Sequence, residues 1–133
     1  MSNKPSIRVD YPYRRLKNKG NIRIVTLLPG RRSDDIRCTL REESLESSPQ
    51  PSYEPLSYSW GDSSDTHYTI WIDEKPQLVR ENLYHALIDL RRVNRSRDLW
   101  VDFISINQSD VAERASQVGQ MGVIYDHGDQ VST

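Results

Sequence analysis

Asp102 stands inside the apolar run Leu99–Ile106, between Val101 and Phe103. An unpaired carboxylate buried in such a run costs several kcal/mol, so it calls for a partner or a cleft. Asn107 and Gln108 follow the run directly, and Glu113, Arg114 and Gln117 come a few residues later. Trp60, Gly61 and Asp62 close an earlier alternation of apolar and polar residues. Carboxylates, amides and an indole gathered in one crevice suit a sugar or a nucleotide. In open α/β sheets, ligands bind beyond the carboxyl ends of the strands. The two clusters therefore meet if their strands are parallel neighbours. Each residue also has a plainer use. Asp102 can tie a loop or helix end through backbone N–H groups. Asn107 and Asp110 are ordinary turn and cap types. Glu113 and Gln117 read as a solvated helix face, with Arg114 beside them, and Glu113 is favourable against the helix dipole in any case. The sequence contains no P-loop, no G-x-G-x-x-G, no zinc-type Cys or His pairing and no G-x-S-x-G elbow. His67, His85 and His127 lie far apart and read as surface residues, so no metal site is expected.

Strands and helices must bring these residues together. Ile22–Leu28 is a short apolar run closed by Pro29-Gly30, a turn signal. Ile36, Cys38 and Leu40 alternate with Arg37, Thr39 and Arg41, the pattern of a strand with one buried face. The two runs form a predicted irregular hairpin. A Ser/Pro-rich loop, Ser44–Ser52, separates it from the main body. Leu56, Tyr58 and Trp60 predict a strand ending at Gly61-Asp62, and Tyr68–Asp73 with Gln77–Arg80 predict a hairpin turning at Asp73–Pro76. Leu83, Ala86, Leu87, Leu90 and Val93 form one stripe and predict a helix over Glu81–Val93, poorly capped by Arg80. Leu99–Ile106 predicts a strand buried on both faces, central in a sheet. Asp110 then caps a second helix, with Glu113 completing a capping box. Ala115, Val118, Met121, Gly122 and Tyr125 make its apolar stripe. Gly119 and Gly122 each cost about 1 kcal/mol there, a cost that close packing on a strand would justify. Gly128 marks its end. Strand, helix, strand, helix implies an α/β layer with a partly parallel sheet.

With 133 residues, one domain is expected. The formal net charge of -1 argues against a nucleic-acid binder. Met1–Asn21 is locally basic, with six Lys or Arg against one Asp, and reads as a solvated arm or as a phosphate-binding one. Cys38, the one cysteine, reads as a half-buried strand residue rather than a reactive thiol, and it implies no oxidising compartment. No apolar run approaches the ~18 residues of a membrane span. The first residues lack a signal-peptide core. A cytoplasmic protein is the expectation.

Tyr53–Asp62 (YEPLSYSWGD) and Leu99–Tyr125 resemble, in content, order and spacing, the two signature blocks of the fungal heterokaryon-incompatibility (HET) domain. HET domains carry a block like Y-x-A-L-S-Y-x-W-G-D, matched here by Tyr53, Leu56, Ser57, Tyr58, Trp60, Gly61 and Asp62. Their later block, like L-W-[IV]-D-x-[IL]-C-I-N-Q-x-D, is matched by Leu99, Trp100, Asp102, Ile106, Asn107, Gln108 and Asp110. The E-R-x-x-Q-V-x-x-M-x-x-I-Y that follows is matched by Glu113, Arg114, Gln117, Val118, Met121, Ile124 and Tyr125. Asn82-Leu83 resembles the family's intervening helix start. Pro55 replaces the usual Ala and Ser105 the usual Cys, which removes any thiol chemistry at that position. The match stops after Val131, where the family usually continues, so a domain truncated at its C-terminus is expected. A sheet cut there would expose an edge open to pairing.

The resemblance implies an α/β fold: a partly parallel sheet flanked by helices, an incomplete TIR-like or flavodoxin-like layer, with an N-terminal β hairpin. Composition marks off a basic arm (1–21) and a β segment with its Ser/Pro loop (22–52), and the resemblance makes the rest the N-terminal part of a HET domain (53–133). The resemblance implies a role in fungal non-self recognition as a cell-death signalling or interaction module. The expected partners are other HET or incompatibility proteins or a second copy of the chain, with no nucleic acid and no membrane span. The distant similarity of HET to TIR domains adds an alternative, a NAD glycohydrolase with no cofactor and NAD as substrate. Glu113 or Asp102 would then stabilise an oxocarbenium-like species. Trp60, Gly61, Asp62, Asn107, Gln108 and Arg114 would bind the ligand. A third reading is an inactive decoy or regulator of full-length HET proteins.

Overall fold

The computed structural model describes residues 11–46, 51–56 and 66–128. Trp60, Gly61 and Asp62, and the strand end predicted there, lie outside the described residues. The two N-terminal runs pair as expected. β1 (Asn21–Leu27) lies antiparallel to β2 (Arg37–Ser44), in register from Asn21 opposite Ser44 to Leu27 opposite Cys38. Their place in the molecule was not legible. β1 is buried at Ile22, Ile24, Val25 and Leu27, so both of its faces need cover and both of its edges need partners. It finds them in the middle of the sheet, whose order is β3-β6-β1-β2-β4-β5.

β3 (Glu54–Leu56) runs parallel to β6 (Arg97–Val101), and β6 runs antiparallel to β1. β2 runs parallel to β4 (His67–Ile72), which forms a hairpin with β5 (Lys75–Arg80). The sheet is therefore mixed and partly parallel, with helices against it, as the sequence implies. The β4–β5 turn is tighter than expected. Asp73 and Glu74 alone form it, at φ 50° and 65°, and Pro76 already belongs to β5. Left-handed residues at both central positions match the twist of a two-residue hairpin.

Apolar side chains fall into two clusters. The larger joins Val25, Leu27, Ile70, Ile72, Leu99 and Val101 to α1 (Glu81–Leu90) through Leu83, Leu87 and Ile88. The smaller joins Ile22, Ile24, Tyr53 and Trp100 to Ile124, with Met121 and Tyr125 packed beside them. α1 follows the predicted stripe but stops at Leu90, and Val93 is 68% exposed. The reason lies in Arg91, whose backbone turns extended. Its guanidinium donates to the carbonyls of Arg31, Asp34 and Asp35. Arg80 makes no side-chain cap bond, as its type implies.

Two expectations are overturned. The strand predicted over Leu99–Ile106 ends at Val101, and Asp102–Ser105 forms a helical turn, α2. Local side chains take over from the ladder there. Ser105 Oγ accepts from Val101 N at 3.1 Å, and Asp102 Oδ1 accepts from Phe103 N at 2.7 Å. The single helix predicted after Asp110 is two: α3 (Val111–Gly119) and α4 (Met121–His127), broken at Gln120. Only part of its predicted stripe faces the sheet: Met121 and Tyr125 pack on the smaller cluster, while Ala115, Val118 and Gly122 are exposed. A Cβ on Gly119 or Gly122 would meet nothing within 4 Å among the described residues, so no close packing explains them. Gly128 does end α4. A Cβ there would lie 2.5 Å from Pro55 Cδ, so only glycine permits this approach to β3. Among the described residues, no helix is long and apolar enough to cross a membrane.

Candidate functional site

β3 and β6 are the parallel neighbours on which a shared crevice depends, with Glu54 opposite Leu99 and Leu56 opposite Val101. The carboxyl end of β6 leads straight into Asp102, and Asn107 and Gln108 follow α2. Here the side chains knit the loop together. Gln108 Nε2 donates to the Asp102 carbonyl at 2.9 Å, and Asn107 Oδ1 accepts from Ser109 N at 3.2 Å. Asp102 is half-buried at the head of α2, rather than enclosed in a strand. Ser105 is buried, and its hydroxyl is spent on Val101 N.

Glu113 departs furthest from expectation. Asp110 caps α3 as predicted, its Oδ1 accepting from Glu113 N at 3.1 Å. The reciprocal half of the capping box is missing. Glu113 Oε2 instead accepts from Asn107 N at 2.7 Å. Both carboxylate oxygens also accept from Arg23 of β1, at 2.5 Å and 2.9 Å. The two side chains are 6% and 7% exposed, so the helix face expected to be solvated is turned inward. Both Nη groups of Arg23 have further partners. Its Nη1 donates to the Ser105 carbonyl at 3.1 Å and its Nη2 to the Arg14 carbonyl at 2.7 Å. Its Cζ lies 5.0 Å from the centre of the Tyr13 ring.

Gln117, one turn along α3, is also buried, and its Nε2 donates to the Asn21 carbonyl at 2.9 Å. Arg114 is exposed and takes no part. The structure thus gathers Asp102, Asn107, Gln108 and Glu113 around α2 and the start of α3. It adds Arg23, which sequence reasoning did not single out. The signal was present: an arginine in the middle of an apolar run buried on both faces must have an acidic partner.

The N-terminal arm is not simply solvated. Tyr11 N donates to Gln77 Oε1 at 2.6 Å, and Tyr13 OH donates to the Ile104 carbonyl at 2.6 Å. Lys17 N donates to Glu42 Oε2 at 2.7 Å. The arm therefore straps the β4–β5 hairpin to α2. A second ion pair, Arg97 with Glu54 at 2.6 Å and 2.9 Å, ties β6 to β3. Hydrogen bonding from Arg97 holds the Glu54 carboxyl below the ordinary glutamate range. Cys38 is more buried than expected, and burial pushes its thiol up to about 12, which leaves it protonated and unreactive.

The chemistry this arrangement supports is cohesive. A carboxylate with both oxygens held by a guanidinium and a backbone N–H fixes α3 to β1 and to the loop after α2. Asp102 keeps a partly exposed carboxylate beside them.

Comparison with known proteins agrees with the reading of the signature blocks. The family described as heterokaryon incompatibility protein (HET) matches residues 53–133. The chain is 36% identical over 124 residues to heterokaryon incompatibility protein 6, OR allele, of Neurospora crassa. That match covers 84% of this chain and 18% of the relative, so the chain spans less than a fifth of the longer protein. No solved structure matches.

Proposed function

Because the chain belongs to the heterokaryon incompatibility family, we propose that it serves fungal non-self recognition as a cell-death signalling and interaction module acting in the cytoplasm. The carrying observation is the outward side of α3 and α4. Val111, Val118 and Val123 are 69%, 57% and 45% exposed, on helices whose inward contacts are made by Glu113, Gln117 and Ile124. A firmly docked element that shows apolar side chains to solvent is what an assembly surface requires. β3 and β5, the edges of the sheet among the described residues, add strands open to pairing. The partners in this reading are other incompatibility proteins or a second copy. The commitment of both Glu113 oxygens weighs against the alternative, a NAD glycohydrolase using that carboxylate.

Sedimentation at rising protein concentration, with a NAD consumption assay on the same samples, tests the reading. Reversible assembly that Val111→Ser with Val118→Ser weakens, without NAD turnover, is the expected outcome. A monomer that consumes NAD, and loses that activity in a folded Asp102→Asn variant, would replace the module with a hydrolase. A monomer that binds a full-length relative and blocks its killing would make it a decoy.

A further inference from the structure

A cleft of about 790 Å³ opens between the arm, β2 and the β4–β5 turn. Its lining carries six cationic residues against two acidic ones, Glu42 and Asp73, in a chain whose formal net charge is -1. The acids hold the walls in place. Glu42 accepts from Lys17 N at 2.7 Å and from Asn21 Nδ2 at 2.6 Å, while Asp73 accepts from the Tyr11 hydroxyl at 2.5 Å. Two of the cations are also occupied. Arg23 is paired with Glu113, and Arg41 is turned to Glu43 and Asp98. The other four, Arg14, Arg15, Lys17 and Lys75, are exposed and make no ion pair among the described residues.

Four unpaired cations converging from two sides of one cleft create a local positive field that walls of low dielectric focus. Two of them are guanidinium forks, which match phosphate oxygens two at a time. The volume lies within the range of small-molecule sites and exceeds what one phosphate needs. The chain's overall charge disfavours a long polyanion. We propose that this cleft binds a multiply phosphorylated small molecule, gripped by Arg14 and Arg15 from the arm and by Lys75 at the start of β5. Binding would clamp the arm against the β4–β5 turn, since its cations sit on both walls. The same phosphate chemistry is offered by a soluble polyphosphorylated metabolite and by a phosphoinositide headgroup.

Inorganic tripolyphosphate titrated into the whole chain, followed by calorimetry and thermal melting, is the test. Vesicles with and without a phosphorylated inositol lipid run in parallel. The expected result is saturable binding that weakens as salt rises from about 0.05 to about 0.2 M, because the shorter Debye length screens the cleft's charges. Arg15→Glu with Lys75→Glu should weaken it about tenfold or more, while Arg92→Glu with Arg95→Glu, in the loop after α1, should change it less than about twofold. Unliganded melting temperatures establish that both double variants fold. Binding to the inositol-lipid vesicles alone, with the same variant pattern, assigns the headgroup as the source. No binding in either arm, equal loss in both double variants, or equal binding of a poly-glutamate peptide would overturn the proposal.

Discussion

α1 and α3 are both docked to the sheet, but by opposite means. α1 buries Leu83, Ala86, Leu87 and Ile88 against an apolar cluster. α3 buries Gln117 and the Glu113 carboxylate, and leaves Val111, Ala115 and Val118 outside. Apolar periodicity locates the inner face of a helix when hydrophobic burial holds it. It gives the wrong face when a charged anchor holds it, because Arg23 sets the orientation and the valines follow. The first mode is graded, since each buried methylene contributes about 1 kcal/mol. The second is not, because a buried charge left alone has no substitute for its partner.

The largest effect should come from removing that partner. Glu113→Ala strands the Arg23 guanidinium and Asn107 N, and should cost about 3–5 kcal/mol in urea unfolding. Arg23→Met with Glu113→Leu should recover most of that loss. A Glu113→Ala protein as stable as wild type would break the contrast between the two helices and free the carboxylate for chemistry. Leu87→Ala should cost about 3 kcal/mol, a cavity loss that differs from the charged case in being indifferent to salt and pH. Asp110→Ala removes the cap bond to Glu113 N and should cost about 1 kcal/mol.

The more open pair, Arg97 with Glu54, sharpens the contrast through pH. Its folded carboxyl titrates lower than in the unfolded chain, so its stabilisation is fully present above the ordinary glutamate range and is lost as pH falls from that range through the lower folded value. Glu54→Gln should flatten this acid limb by about 1 kcal/mol or less, read from melts taken across acidic pH. Smallest of all, Val118→Ser should leave stability within about 0.5 kcal/mol. Its effect belongs in the sedimentation profile, and a large loss of stability would mean that the outer face of α3 is covered within the fold.

Patterns carried by neighbouring residues were enough for much of the molecule. The β1–β2 and β4–β5 hairpins, the Leu83–Leu87 stripe, the Asp110 cap and the stop at Gly128 each rest on a few adjacent side chains and the backbone angles they favour. The signature blocks likewise declared the family. Parallel pairing of β3 with β6 was posed as a condition, and the register meets it. The long-range decisions were made elsewhere. Arg23 and Glu113 stand 90 residues apart, and nothing local to either names the other. That pair turns α3 over. The Val101–Ser105 bond ends a strand that composition alone would have continued. The hairpin that reads as an appendage occupies the centre of the sheet. A sequence expresses how strongly each residue avoids water and which angles it prefers. Only the assembled chain decides which buried charges can find each other, because an ion pair depends on the distance between two groups and not on either one.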